Sequence, residues 1–230
     1  MQGVSCALGC NLFQEKNIQI KKPPFYQLVN HRPTLFPNFA AMKELTDYIL
    51  QFGNLNQQQI DLITSKATEM ELRKDDYFSE AGKAPKQLGF VLEGVFRFCY
   101  YSNKGEEITN AFVDEHNFIT DYPKFEANVV ATDYIQAITD CKLLVFSKKD
   151  WDELLDTIVD WDRIAAKIVQ KCLTATIERR SPLVSEDATT RYLSFIEKFP
   201  LLVNRISLAY VASYLGITQQ SLSRIRKNIR

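Results

Sequence analysis

The sequence predicts an α+β protein: an antiparallel β-barrel or jelly roll, then a long helix, then a C-terminal helix-turn-helix. Three observations predict it. Short β-branched and aromatic runs separated by turns fill the middle of the chain, which argues for many short strands. No Gly or Pro occurs from Trp151 to Arg180, which argues for sustained helix. From Asn204 onward the chain carries Arg205, Arg224, Arg226, Lys227 and Arg230 and no acidic residue, although net charge over all 230 residues is zero. Charge sorted in this way points the C-terminal end toward a polyanion, although cations at a helix C-terminus also complement its dipole.

Composition bounds the reading. A hydrophobic fraction of 46% supplies a sizeable core and excludes general disorder. There is no apolar run long enough to span a membrane and no secretory signal pattern, so a cytoplasmic protein without membrane contact is expected. The five cysteines, Cys6, Cys10, Cys99, Cys141 and Cys172, are odd in number and scattered, which fits a reducing compartment rather than a disulfide framework.

Residues 1–41 read as an irregular leader, because residues 20–38 hold four prolines and no helical or strand period. One reading makes Met42 the true start and the leader not native; intact mass would decide. Residues 42–150 form the expected barrel domain, opening with amphipathic stretches through Leu45, Ile49, Leu50 and Phe52, then Leu55, Ile60, Leu62 and Ile63. Strands are expected at Leu88–Gly94 and Val95–Tyr101, at "EEITNAFV" after a turn at Asn103 to Gly105, and again at Tyr134–Thr139 and Leu143–Phe146. Such barrels commonly enclose a ligand.

Residues 151–182 follow as a long helix, with Trp161, Ile164, Ala165, Ile168, Cys172 and Ala175 on one face and Pro182 at its end. That stripe either covers the barrel or meets a second copy of itself. Residues 183–230 hold a shorter helix at Ala188–Glu197 and then two more with a tight turn between them. Leu208, Val211, Ala212 and Leu215 stripe the first. Gly216 supplies a positive-φ turn, Thr218 caps the second, and Leu222, Ile225 and Ile229 stripe it. Its opposite side offers Gln219, Gln220, Ser223, Arg224 and Lys227. Gln pairs with adenine and Arg with guanine, while Lys227 and Arg226 suit phosphate. A solvated polar face is the simpler account of the same side chains, but it leaves the small Ala, the turn Gly and the apolar spacing unexplained.

Residues 42–230 resemble the Crp/Fnr family of bacterial transcription regulators. The barrel likeness rests on "FVLEGVFRF", "NKGEEITNAFV" and "HNFITDYPKF"; "ISLAYVASYLGITQQSLSRIRK" matches the DNA-binding motif more closely. The resemblance implies a cyclic-nucleotide-binding-like effector domain, a homodimer through residues 151–182, double-stranded DNA and RNA polymerase as partners, and no catalytic residue. It puts Gln219, Gln220 and Arg224 at base edges, in a DNA-contacting set completed by Thr218, Ser223, Arg226 and Lys227. Members that bind cyclic AMP carry Gly-Glu and Arg-Ser in the pocket, where this chain has Thr120, Asp121 and Ala131, Thr132. Without the Arg, a buried cyclic phosphate lacks its counter-ion, so cyclic AMP is not the expected effector. Thr120, Asp121, Tyr122, Ala131 and Thr132 remain the pocket candidates, with core or loop roles as the alternative.

No metal or cofactor is expected. An iron-sulfur cluster needs four suitably placed thiolates, whereas Cys6 and Cys10 stand together alone. With His31 and His116 as the only histidines, neither a haem site nor the metal set of a cupin-like enzyme assembles. The other alternative is a dimeric ligand-binding or interaction module whose last helix is a degenerate DNA reader.

Overall fold

The structure, a computed structural model, describes residues 39–229, without the side chains of 179–185. Residues 1–38 of the expected leader, with Cys6, Cys10 and His31, lie outside the described residues. Two helices come first, α1 at Phe39–Ile49 and α2 at Gln57–Lys66. α2 begins with a reciprocal capping box in which Asn56 accepts from the Gln59 amide and Gln59 returns to the Asn56 amide.

Eight short strands follow: β1 Thr68–Leu72, β2 Tyr77–Ser79, β3 Gln87–Glu93, β4 Phe96–Tyr101, β5 Glu107–Val113, β6 Phe118–Ile119, β7 Tyr134–Ala137 and β8 Cys141–Ser147. A six-residue helix, α3 at Tyr122–Ala127, separates β6 from β7. All pairings are antiparallel, in two sheets ordered β1-β8-β3-β6 and β2-β7-β4-β5. The expected barrel is therefore an open two-sheet sandwich. The edge strands β2, with three residues, and β6, with two, are too short to stitch the sheets into a closed cylinder.

Side-chain alternation along the strands builds three cores. In β8, Cys141, Leu143 and Val145 face the opposite sheet, while Leu144 and Phe146 face a helical core. That second core holds α1, α4 (Lys148–Thr157) and the first turns of α5 (Trp161–Ser185). Both faces of this sheet are covered, which is why β3 and β8 read as nearly continuous apolar runs. The other sheet turns Val95, Phe112 and Ile138 outward onto α6 (Ala188–Lys198), α7 (Leu208–Leu215) and α8 (Gln219–Asn228).

The helix expected without a break from Trp151 is interrupted. α4 stops at Thr157, and Asp160 takes φ 65°, a left-handed conformation that Asp tolerates better than most residues. The reversal sets the Trp161 ring 5.4 Å from Trp151. Pro182 does not end α5, which runs on to Ser185; proline removes one amide donor there without stopping the helix. Along the expected α5 stripe Trp161, Ile164, Ala165 and Ile168 are buried and Cys172 and Ala175 are half-buried. Leu173 and Ile177, outside that stripe, are 53% and 67% exposed.

Gly94, between β3 and β4, has φ 104°, and a Cβ there would come within 2.5 Å of Cys141 Sγ and 2.6 Å of the Asp140 carbonyl. Gly105 has φ 78° but nothing within 4 Å. Gly94→Ala is expected to lower unfolding free energy by about 2–4 kcal/mol and Gly105→Ala by about 1 kcal/mol, read from denaturant midpoints. Equal losses would show that backbone strain alone, not the crowding, makes Gly94 necessary.

Candidate functional site

The two last helices are built by local caps. Ser207 accepts from the Tyr210 amide to start α7, and Gly216 ends it at φ 65° with its amide on the Ala212 and Ser213 carbonyls. Two residues later Thr218 accepts from the Ser221 amide and starts α8. Leu222 is fully buried and Ile225 half-buried against α7, while Gln219, Gln220, Arg224 and Lys227 are exposed on the other side. Ser223 and Arg226 are half-buried and, with Lys227 and Leu208, line a shallow depression of about 230 Å³. Ile229, expected in the apolar stripe, falls past the end of the helix and is 41% exposed. Arg205, part of the basic tail, is engaged elsewhere, as described below. Among the described residues no ion pair involves Arg224, Arg226 or Lys227.

A cavity of about 370 Å³ opens between the sandwich, α3 and α5. That volume lies in the range of small-molecule sites. Of the expected pocket residues, Thr120, Asp121 and Tyr122 line it. Ala131 and Thr132 do not: Ala131 is buried with its backbone bonded to Gly82 and Lys83, and Thr132 is exposed, with its hydroxyl donating to Asp133 Oδ1. Thr120 donates to the Gln87 carbonyl at 3.2 Å, so its hydroxyl is partly committed to the wall.

Four polar residues in the wall are not predicted from sequence, Asn110, Asn117, Asp133 and Thr176, and the first and third touch each other. A register shift in the β4–β5 pairing, where Phe98 faces Ala111 but Cys99 faces Thr109, bulges Asn110 out of the ladder. Its amide donates to Asp133 Oδ2 at 3.1 Å. An Asn inside "EEITNAFV" was the available signal. Burial raises the Asp121 carboxyl above its ordinary range, with Asp133 adding to the effect and Lys124 opposing it. Trp151 is buried in the same wall, and its indole N–H makes no well-aligned hydrogen bond; the Tyr122 hydroxyl beside it is a loose partner. Phe98, Phe112 and Phe118 complete an aromatic lining.

Between cavity and head lies a polar seam. Arg97 on β4 is 2% exposed and donates to Gln136 at 2.6 Å, to Thr109 and to Glu107, and its guanidinium stacks 4.0 Å over the Tyr210 ring of α7. The Thr109 amide donates to Ser213 Oγ at 2.9 Å, and that hydroxyl donates to the Glu107 carbonyl. α7 thereby covers the free edge of β5. Beside it, Arg205 makes a two-pronged pair with Glu115 at 2.9 and 2.5 Å, and Glu115 also accepts the Gly94 amide. The Arg205 hydrogen bonds hold the Glu115 carboxyl down at about 2, against some desolvation. Phe112 belongs to both regions: it lines the cavity and stacks on Tyr214, Phe195 and Phe199 of the head.

Burial pushes the Cys99 thiol up to about 12 and raises Cys141, so both are small apolar fillers rather than reactive groups. Among the described residues no cluster of His, Cys, Asp and Glu could hold a metal ion, and no helix is long and apolar enough to cross a membrane.

The architecture is a two-sheet sandwich with a cavity against its following helix and a helix-turn-helix head. Residues 69–158 match the cyclic nucleotide-binding domain family. The fold is similar to that of solved structures over 71–79% of the chain. The c-di-GMP responsive global regulator CLP of Xanthomonas campestris superposes with TM-score 0.62 at 17% identity, over 76% of this chain and 91% of that one. A regulator assigned to the crp/fnr family from Eubacterium rectale gives TM-score 0.63 at 15% identity, over 79% and 87%. FixK2 of Bradyrhizobium japonicum gives 0.59 at 19%, over 71% and 84%. Among curated proteins no sequence matches the chain. The resemblance to Crp/Fnr transcription regulators thus holds at the level of fold, and residues 69–158 are similar to the cyclic nucleotide-binding domain family.

Two predictions follow from the seam. Glu107→Ala leaves a buried guanidinium short of its counter-ion and is expected to lower stability by about 2–3 kcal/mol in denaturant unfolding. That is less than the ~3–5 kcal/mol of a fully buried pair, because Glu107 keeps part of its surface in water. For Glu115 the folded-state value is depressed from 4.5, so its stabilisation is complete above about pH 5 and is lost as pH falls through about 2. The difference in melting temperature between wild type and Glu115→Gln should be constant above about pH 5 and shrink toward pH 2.

Proposed function

We propose that the protein is a dimeric, DNA-binding transcription regulator whose head responds to a small molecule in the cavity. The observation that carries this reading is α8 itself. Its buried Leu222 fixes one side against α7, and Gln219, Gln220, Arg224 and Lys227 stand free on the other, beyond a helix N-terminus suited to phosphate. In this reading Gln219, Gln220 and Arg224 meet base edges, and Thr218, Ser223, Arg226 and Lys227 hold the backbone. The exposed Leu173 and Ile177 on α5 supply the apolar seam for a second copy. Two heads held by paired helices would read an imperfect palindrome about one duplex turn between half-sites, and such a dimer would act on transcription through RNA polymerase.

Gating by a small molecule is carried over from the match to the cyclic nucleotide-binding domain and from the c-di-GMP responsive CLP. Cyclic AMP is not the ligand proposed, because no Arg, Lys or His is among the described residues lining the cavity.

Binding to fragments selected from randomised duplex tests the reading. On the selected site Arg224→Ala should lose about 1–3 kcal/mol and relax base choice at one position, while Lys227→Ala should weaken all duplexes alike and flatten the salt dependence. Affinity for duplex that does not change with salt would reject DNA binding in favour of an interaction module with a degenerate last helix.

A further inference from the structure

The cavity has one sign of charge and one kind of wall. Asp121 and Asp133 both line it, and none of the described lining residues is a cation; Lys124 approaches Asp121 from outside the lining. The rings of Phe98, Phe118, Tyr122 and Trp151 line the same cavity. Trp151 is 97% buried by its 3% exposure, and its N–H is left without a well-formed acceptor. A buried phosphate here would meet two carboxylates and no counter-charge. An organic cation would meet both its requirements, since carboxylates neutralise an ammonium and aromatic faces attract it.

We propose that the cavity takes an aromatic or apolar organic amine in its protonated form, held between Asp121 and Asp133, and not an anionic cyclic nucleotide. This rests on the reading of the cavity as the effector site. Asn110 fits the same chemistry: by donating to Asp133 Oδ2, with Thr132 donating to Oδ1, it orients that carboxylate, and each oxygen keeps a second lone pair for the ligand. Burial and Asp133 together keep the Asp121 carboxyl above its ordinary range, and a bound cation relieves that strain.

Calorimetry on the full-length protein tests this with phenethylamine, 2-phenylethanol, 3-phenylpropionate and cyclic AMP. The amine should bind about tenfold or more tightly than the alcohol of the same skeleton, and the carboxylate and cyclic AMP more weakly still. The doubly neutralised variant, Asp121→Asn with Asp133→Asn, should lose the preference for the amine and keep the affinity for the alcohol, which also shows that the cavity remains folded. Equal or tighter binding of cyclic AMP or the carboxylate overturns the proposal, as does failure of the amine to bind. Duplex affinity measured alongside separates this from the parent reading. If filling the cavity by Ala175→Trp shifts duplex affinity while the amine does not bind, gating stands and the ligand class falls. If neither filling nor any compound shifts duplex affinity, gating falls, and the calorimetric preference alone decides the ligand class.

Discussion

A guanidinium sealed from water has to be surrounded by acceptors, and Arg97 imposes that demand on the middle of the molecule. Its partners come from the two strands flanking β4: Glu107 and Thr109 on β5 and Gln136 on β7. Slipping either strand pair by one residue would turn these partners to the other face and strand the charge. The same cation lies against Tyr210, so the register of the sheet and the seat of α7 are set by one group. Ser213 then satisfies the backbone that β5, an edge strand, would otherwise present to solvent.

From that seam the layers follow. One sheet is sealed by α1, α4 and the start of α5, the other by the head helices, and the interior between the sheets is filled by alternate residues of the same strands. The cavity arises where α5 runs past the sandwich, at Val169, Cys172, Leu173 and Ala175; Leu173 and, beyond it, Ile177 are also 53% and 67% exposed. A single helix therefore borders the cavity and offers an exposed apolar surface over overlapping turns.

What could be read from sequence was what local chemistry determines. The α7–turn–α8 unit is specified within a few residues by Ser207, Gly216 and Thr218, each of which acts on amides or carbonyls close to it. The strands β3, β4, β5, β7 and β8 were legible because burial on both faces or aromatic content marks them. β6 and α3 were not, since two residues and six residues are too few to express a period. The break before α5 escaped because Asp160, not glycine, takes the left-handed turn, and Pro182 misled because the helix absorbs it. In the cavity, Thr120, Asp121 and Tyr122 are candidates through the family resemblance, whereas Asn110 depends on a bulge set by long-range pairing and Asp133 on its contact with that residue. The seat of α7 on β5 joins residues a hundred apart, and no local pattern announces it.

Phe112 deserves its place at the centre of the molecule because it has no layer to itself. Its ring borders the hollow under α5 and also packs against Tyr214, Phe195 and Phe199. The chamber and the helical lobe thus share one aromatic wall, so that a change in the size of residue 112 alters the space in one and the packing of the other together.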